Sequence, residues 1–393
     1  MLRLVDLEMS RFLSLLLIFG FVYCQGGGYA LDFDGSNDYS QHGTNSSLRP
    51  TSAITLEAWM NIHTNANWES AVSYATDNGA TESGYDLFCK GAGSNKWSFR
   101  VARDGMSEGE WATDPYAFLT TWQWIHVAGT YDGTTVSFYE NGVLSTSEAH
   151  SGDIDWNPSP NKFSLGRFHD SDENNYFDGY LDEVRIWSIA RTATQIADNI
   201  HISLDGDETN LEAYYKMSDG SGTTITDNSE NSNTGTMVNM NNSDWVTSQA
   251  PIGDLGSSYE TDVEGVWKAS GTSESDASDG LTMTMGSALS TGNFAVFGNN
   301  NTSSTSTSDI GAVGSTVRTG RIWQVDESGT VAATIKIDMS DATGNAGNSG
   351  TASNYRLLYR SGTSGDFSSA ATGSSISGDV VTFNSISLQD GYY

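Results

Sequence analysis

Apolar and polar residues alternate along most of this chain, in short runs separated by turn residues. Ile54-Thr-Leu-Glu-Ala-Trp-Met-Asn61 sets Ile54, Leu56, Ala58 and Met60 on one side and Thr55, Glu57, Trp59 and Asn61 on the other. A period of two is the signature of a strand with one face against a core. Similar runs occur at Leu31–Phe33, Tyr85–Cys89, Trp97–Val101, Trp124–Tyr131, Val136–Glu140, Phe163–Leu165 and Leu211–Met217. Asp132-Gly133 and Asn141-Gly142 fall at their junctions, and both dipeptides suit the left-handed backbone of tight hairpin turns. Thr192 to Ile200 is the one stretch that reads as a helix, one or two turns long. Many antiparallel strands joined by hairpins predict an all-β chain folded as a sandwich of two antiparallel sheets.

One run breaks the simple pattern. Strict alternation through Tyr180-Leu-Asp-Glu-Val-Arg-Ile-Trp187 puts Asp182 on the same side as Val184 and Ile186. An acid on an apolar face has to be paired, hydrogen-bonded or bound to a metal. Glu183 falls on the opposite side, within reach of Arg185.

After Pro251 the composition shifts. Asn299 to Ser308 and Thr343 to Ser353 are small and polar, but Thr319–Val325, Val331–Met339, Tyr355–Tyr359 and Val380–Phe383 alternate at period two. Residues 255–393 therefore read as a second, smaller β-sandwich. The chain stops at Gly391-Tyr-Tyr393, directly after a strand and turn, which reads as a truncated frame. At the other end Met9-Ser-Arg11 precedes the apolar run Phe12 to Cys24, the pattern of a signal peptide over residues 1–25 with translation starting at Met9. Such a run is short for a membrane span, so no transmembrane segment is expected in the mature chain.

Composition narrows the function. The chain holds 49 acids against 18 bases, a formal net charge of -31, which disfavours nucleic acid as a partner because phosphate binding needs a basic footprint. The same acidity suits cation binding and solubility. With Cys24 in the leader, Cys89 is the remaining cysteine, and it reads as a small core residue with no internal disulfide to form.

Several motifs in order carry a family resemblance. They are Ala30-Leu-Asp-Phe-Asp-Gly-Ser-Asn-Asp-Tyr39, Leu56-Glu-Ala-Trp59, Trp124-Ile-His-Val-Ala128, Tyr131-Asp-Gly133, Phe138-Tyr-Glu-Asn-Gly142 and Phe177-Asp-Gly-Tyr-Leu-Asp-Glu-Val-Arg-Ile-Trp187. Together they resemble the successive signatures of the LamG-like jelly-roll family, within the concanavalin A-like lectin/glucanase superfamily, over about residues 29–250. Residues from 255 onward resemble, more loosely, β-sandwich repeats of secreted bacterial surface proteins. The first resemblance implies two antiparallel sheets and a structural Ca²⁺, whose ligands by position are Asp34 and Asp38 in the first turn and Asp182 in the late strand. Ca²⁺ takes six to eight oxygens, which carboxylates and carbonyls of an irregular turn supply. Asp34 and Asp38 can instead cap that turn by accepting backbone N–H groups.

Catalytic patterns are weak. Glucanases of the superfamily use acids at i and i+4 on one strand face with a third between them, and no such run is present; Glu108 and Glu110 only flank a loop glycine. Adjacent strand residues point to opposite faces, so Asp182 and Glu183 are not expected to act together. His126 shares a strand face with Trp124 and Ala128 and reads as a structural histidine. For binding, Trp68, Trp97, Trp111, Trp122 and Trp156 lie in or beside loops, where flat rings can stack on sugar C–H groups. Among these, Trp111 and Trp156 are the expected ligand contacts. The expected function is that of a secreted or cell-surface, non-catalytic binding or adhesion protein. Its partner would be a polysaccharide, a glycoprotein surface or an extracellular protein. An accessory module of a larger secreted hydrolase and a structural surface spacer are the alternatives.

Overall fold

The computed structural model describes residues 28–66, 68–77, 82–90, 96–102, 116–157, 162–169, 174–268, 275–314, 316–344 and 350–393. The first domain opens with β1 (Tyr29–Asp34), β2 (Tyr39–Gln41), β3 (Ile54–Ile62), β4 (Ser70–Asp77), β5 (Glu82–Cys89) and β6 (Lys96–Val101). It continues with β7 (Tyr116–Phe118), β8 (Trp124–Tyr131), β9 (Thr135–Glu140), β10 (Val143–Ala149), β11 (Ser164–Leu165) and β12 (Arg167–His169). Then come β13 (Asn174–Tyr176), β14 (Asp178–Trp187), β15 (Leu211–Tyr215), β16 (Thr224–Ile225), β17 (Gly235–Val238) and β18 (Trp245–Thr247). A short helix, α1 (Ala193–Ala197), falls inside the stretch that reads as helical and is capped reciprocally by Thr192 and Gln195.

These strands form two eight-stranded sheets. The first runs β10-β9-β8-β3-β14-β1-β18, with β15 pairing the second half of β14. The second runs β16-β17-β2-β11-β4-β5-β6-β7. The alternating apolar residues of both sheets meet in one core, including Leu56, Ala58 and Met60 from β3 and Tyr85, Leu87 and Cys89 from β5. The predicted two-sheet sandwich is thus the observed architecture, and the pairings are antiparallel throughout.

The puzzle in β14 resolves here. Its pairing with β3 slips between Asp182 and Arg185, and Glu183 adopts a left-handed φ of 49°. A bulge inserts one extra residue and switches the parity of the strand. Leu181, Val184 and Ile186 therefore all reach the core, while Asp182 does not share their face. It is fully buried, and its carboxylate accepts bonds from Ser248 Oγ at 2.5 Å and from the Glu183 amide at 2.8 Å.

The second domain carries β19 (Thr261–Trp267), β20 (Ser275–Ser278), β21 (Leu281–Met285), β22 (Phe294–Asn299), β23 (Thr305–Ser306), β24 (Arg318–Thr319) and β25 (Trp323–Ser328). It ends with β26 (Ala332–Asp338), β27 (Arg356–Tyr359), β28 (Ser368–Thr372), β29 (Ser375–Ser377), β30 (Val380–Ser387) and β31 (Gly391–Tyr392). Sheets β19-β22-β25-β31 and β20-β21-β26-β30-β29 close over a core that includes Val266, Trp323, Ile335 and Phe383. The domain docks on the outer face of the first sheet. Val263, Trp267, Phe294 and Val296 pack there with Trp59, Trp124 and Ile200, and the Trp267 indole N–H donates to the Trp124 carbonyl at 3.1 Å.

Candidate functional site

The charged residues under that docking surface are structural. Glu57 is fully buried and receives Arg191 Nη1 at 2.5 Å, with Arg185 Nη1 at 3.9 Å and His126 Nε2 at 3.6 Å. Burial pushes its carboxyl upward, but His126 and the two guanidinium groups outweigh this and hold it at about 2. Arg185 also binds Glu183 at 2.7 Å and the Asn199 and Ile202 carbonyls. His126 lies edge-on to Trp59, and burial lowers its pKa, so it stays neutral. His201 is likewise buried, its Nδ1 2.7 Å from the Pro251 carbonyl and its ring against Trp267. Each charged side chain here has an oppositely charged neighbour, and Trp267 packs against the same layer, so the network ties the two domains together.

The open part of the jelly roll is one rim of the sandwich, where β3 connects to β4. Three further segments meet it. The turn Asp34–Asp38 follows β1, whose Asp34 pairs with Asp178 at the start of β14. Gly35 has a φ of 68°, and a side-chain carbon there would lie 2.7 Å from Asp178 Cβ, so only glycine lets this turn close on β14. His63 donates its amide to the Asp178 carbonyl at 2.9 Å, and its ring nitrogen sits 3.4 Å from the Asp178 carboxylate. The Trp122 amide donates to the Ile62 carbonyl at 2.7 Å, bringing the β7–β8 turn to the same place.

Two tryptophans dominate this rim. Trp122 is 59% exposed and Trp68 41% exposed. Both have left-handed backbones, with φ of 61° and 66°. That conformation is uncommon for bulky residues and costs on the order of 1–3 kcal/mol, so the surrounding structure must hold it. Each ring is backed by a parallel partner. Trp122 stacks on His63 at 4.0 Å and 9°, and Trp68 on Phe88 at 5.7 Å and 7°. Arg100 lies over the Phe88 ring at 4.2 Å and is held by Asp86 at 3.0 Å. Each indole is thus stacked on one ring while much of its surface stays exposed, and Arg100 also lies 6.0 Å from the Trp68 ring.

The rim is also acidic. Burial raises Asp32 to about 6, helped by Asp244, Asp178 and Asp34. Burial likewise raises Asp38 to about 6, with Asp34 and Asp244 adding to it. Glu69, 1% exposed, is pushed by burial to about 8 and is protonated at neutral pH; its carboxyl receives the Ala66 amide at 2.8 Å. Beneath it, burial and then Glu69 push the Cys89 thiol up to about 12, so this cysteine is an inert core residue.

The residues singled out in the sequence fall in three places. Asp34 and Asp38 share the first turn, where Asp34 Oδ1 accepts the Ser36, Asn37 and Asp38 amides at 2.8, 3.1 and 3.4 Å. Asp182 is not with them. The β1–β14 register sets Leu31 opposite Leu181, which puts Asp182 beside Ala30, four strand residues or about 13 Å from Asp34. Among the described residues no three His, Cys, Asp or Glu side chains converge on one metal position. The three-acid set Asp34, Asp38 and Asp182 therefore does not fit one ion, because Asp182 is spent on Ser248 and the Glu183 amide. Trp156 is half-buried at the opposite end of β5, its indole N–H donated to the Pro50 carbonyl at 3.0 Å and its ring edge-on to Tyr74 and Tyr85. It is a packing residue there. Trp111 and the segment 1–25 lie outside the described residues. Trp68 and Trp122 were legible in sequence only as loop tryptophans; their exposure and their stacking partners come from the fold.

The two-sheet sandwich with a loop-built rim defines a lectin-type jelly roll. Residues 34–197 match the model of the concanavalin A-like lectin/glucanases superfamily. Residues 257–392 match a family described only as a domain of unknown function. Mouse pappalysin-1 is 33% identical over 79 residues, 20% of this chain and 5% of that protein. The chain thus spans about 5% of the length of the curated relatives it matches. Among solved structures, a candidate carbohydrate-binding protein from Bacteroides ovatus is 25% identical, covering 57% of this chain and 61% of that one, with a TM-score of 0.45. Domain 4 of an extracellular arabinanase from Geobacillus stearothermophilus, in complex with arabinotriose, is 24% identical over 39% of this chain and 68% of its own, with a TM-score of 0.31. No described helix is long and apolar enough to cross a membrane.

Proposed function

We propose that the jelly-roll domain is a non-catalytic glycan-binding module and that the rim bearing Trp68 and Trp122 meets the sugar. The observation that carries this reading is the pair of exposed indoles, each held in a left-handed backbone and each backed by a stacked ring. A flat apolar face next to carboxylates and amides is what a pyranose or furanose ring needs, since its C–H face stacks and its hydroxyls bond. The match of residues 34–197 to the lectin/glucanases superfamily model supports the reading. The protein is proposed to act outside the cell or on its surface, where glycans are displayed. Ca²⁺ belongs to this proposal in a reduced form, at the Asp34–Asp38 turn with main-chain carbonyls as co-ligands and without Asp182. The test is a glycan array on the whole chain, followed by titration calorimetry of the best ligand with the wild type, Trp68→Ala and Trp122→Ala. Binding that both variants lose supports the site; binding that neither changes removes it.

A further inference from the structure

The outward face of the first sheet carries a row of polar and aromatic side chains between the rim and the docked domain. Across β1, β14, β3 and β8 the register aligns Asp32 with Tyr180, Tyr180 with Asn61 and Asn61 with Trp124. Their sequence neighbours Leu31, Leu181, Met60 and Ile125 lie in the sandwich core, so the row itself points away from it. Four adjacent strands make a floor about 14 Å wide. One long side meets the rim. His63 follows Asn61 on the same face, sits edge-on to Tyr180 at 4.4 Å and carries the Trp122 ring at 4.0 Å. The other long side meets the second domain, where Trp267 packs in one cluster with Trp124 and Tyr180.

This row holds buried polar atoms that the described residues leave without a partner. Trp124 is 3% exposed and Asn61 4% exposed, yet neither Trp124 Nε1 nor Asn61 Oδ1 makes a hydrogen bond, and the same holds for the buried His63 Nε2. Other buried indoles are matched. Trp59 donates to the Ile200 carbonyl at 2.7 Å, Trp97 to Asn65 at 3.0 Å and Trp323 to the Ser278 carbonyl at 2.9 Å. Such matching is the rule, because a bond left unmade costs the full desolvation of the buried group. Asn61 and Trp124 are direct cross-strand partners, so an acceptor and a donor stand side by side. One alcohol satisfies both, accepting from the indole N–H and donating to the amide oxygen. Asp32 is half-buried at the far end of the row, and Asp34 and Asp178 pair one row nearer the rim, so a ligand carrying carboxylate or sulfate is repelled.

We propose that this row is the floor of a second subsite, where Asn61 and Trp124 take a hydroxyl of an uncharged oligosaccharide and Tyr180 meets its ring face. The proposal rests on the reading of Trp122 as a sugar contact and extends it. The ligand is a chain that runs on from Trp122 toward Trp267, longer than a single terminal sugar, and the second domain forms one wall of its site.

The test is titration calorimetry of the whole chain with xylo-, cello- and arabino-oligosaccharides, dimer to hexamer, alongside thermal melts. At least one series should bind, with affinity rising about tenfold from dimer to tetramer. Asn61→Leu should lower the tetramer affinity about tenfold and leave the dimer unchanged. The same variant should melt at or above the wild-type temperature, because it removes an unpartnered polar group from the interior. Trp124→Phe should weaken the tetramer in the same way, and if Asn61→Leu does not fold, it decides together with the length dependence of the wild type. A lower melting temperature for Asn61→Leu with unchanged affinity marks a structural asparagine and overturns the proposal. Binding that Trp122→Ala abolishes, but that is equal at all lengths and indifferent to Asn61→Leu, overturns the subsite and leaves the rim reading standing. Binding that Asn61→Leu weakens and Trp122→Ala does not supports the subsite and overturns the rim reading. No binding in any series, or equal affinity for tetragalacturonate, overturns the proposal.

Discussion

Glu57→Gln probes the buried network that fixes the outer face of the first sheet. Glu57 is the acid on which Arg191, Arg185 and His126 converge. Its carboxyl is held at about 2 against an ordinary value of 4.5. That difference corresponds to roughly 3 kcal/mol of stabilisation by the ionised form. Because the folded pKa is depressed, this stabilisation is complete above pH 4.5 and fades as pH falls toward 2. By pH 3 about 2 kcal/mol of it is gone. The amide introduced by the substitution does not titrate, so the variant lacks this dependence, but it leaves buried guanidinium charge short of an anion and costs about 3–5 kcal/mol at neutral pH. The assay is urea unfolding followed by tryptophan fluorescence, for both proteins, at pH 7 and pH 3. The gap between them should narrow by about 2 kcal/mol on going to pH 3. A gap that stays constant with pH would refute the reasoning, since Glu57 would then gain nothing from its ionisation.

Glu69 should behave with the opposite sign. Its folded pKa is raised to about 8, so the stability it contributes is complete below pH 4.5 and is lost as pH rises through 8. Glu69→Gln should therefore melt close to wild type at pH 5 and higher than wild type at pH 8.5 in a thermal scan. Trp267→Ala should cost about 3–5 kcal/mol, from the cavity it leaves between the domains and the loss of its bond to the Trp124 carbonyl. In calorimetry it should separate the melting of the two domains. Ca²⁺ should raise the melting temperature of the wild type relative to chelator, as a ligand of the folded state does. The double change Asp34→Asn and Asp38→Asn should remove that shift, and Asp182→Asn should leave it in place; no shift in the wild type would sink the metal.

Many of the strands, and the two hairpins of the first sheet, were legible in the sequence because each strand has one face in a core and hairpin turns announce themselves locally. Asp132-Gly133 and Asn141-Gly142 join β8 to β9 and β9 to β10 as read. What the alternation could not reveal is the bulge at Glu183. A bulge shifts parity without changing the residue types on either side, so Asp182 looked like a core-facing acid in need of a partner, whether a base, a hydrogen-bond donor or a metal. Its partner, Ser248, is 66 residues away and reaches it only through the pairing of β18 with β1. The same limit applies to the rim. Trp68, Trp122 and Trp156 all read as loop tryptophans, and the expectation settled on Trp156, with Trp111, rather than on Trp68 or Trp122. Their difference arises from which neighbour covers them: Tyr74 and Tyr85 pack edge-on against Trp156, whereas Trp68 and Trp122, stacked on Phe88 and His63, stay 41% and 59% exposed.

The measurement that bears most directly on glycan binding at this rim is the affinity of the whole chain for its best array glycan, compared with Trp68→Ala. Trp68 is 41% exposed, so the substitution should leave folding nearly intact. Loss of one stacking face, about 1–1.5 kcal/mol, should weaken binding roughly tenfold. A glycan bound equally well by both proteins, or no glycan bound by the wild type, would contradict the account.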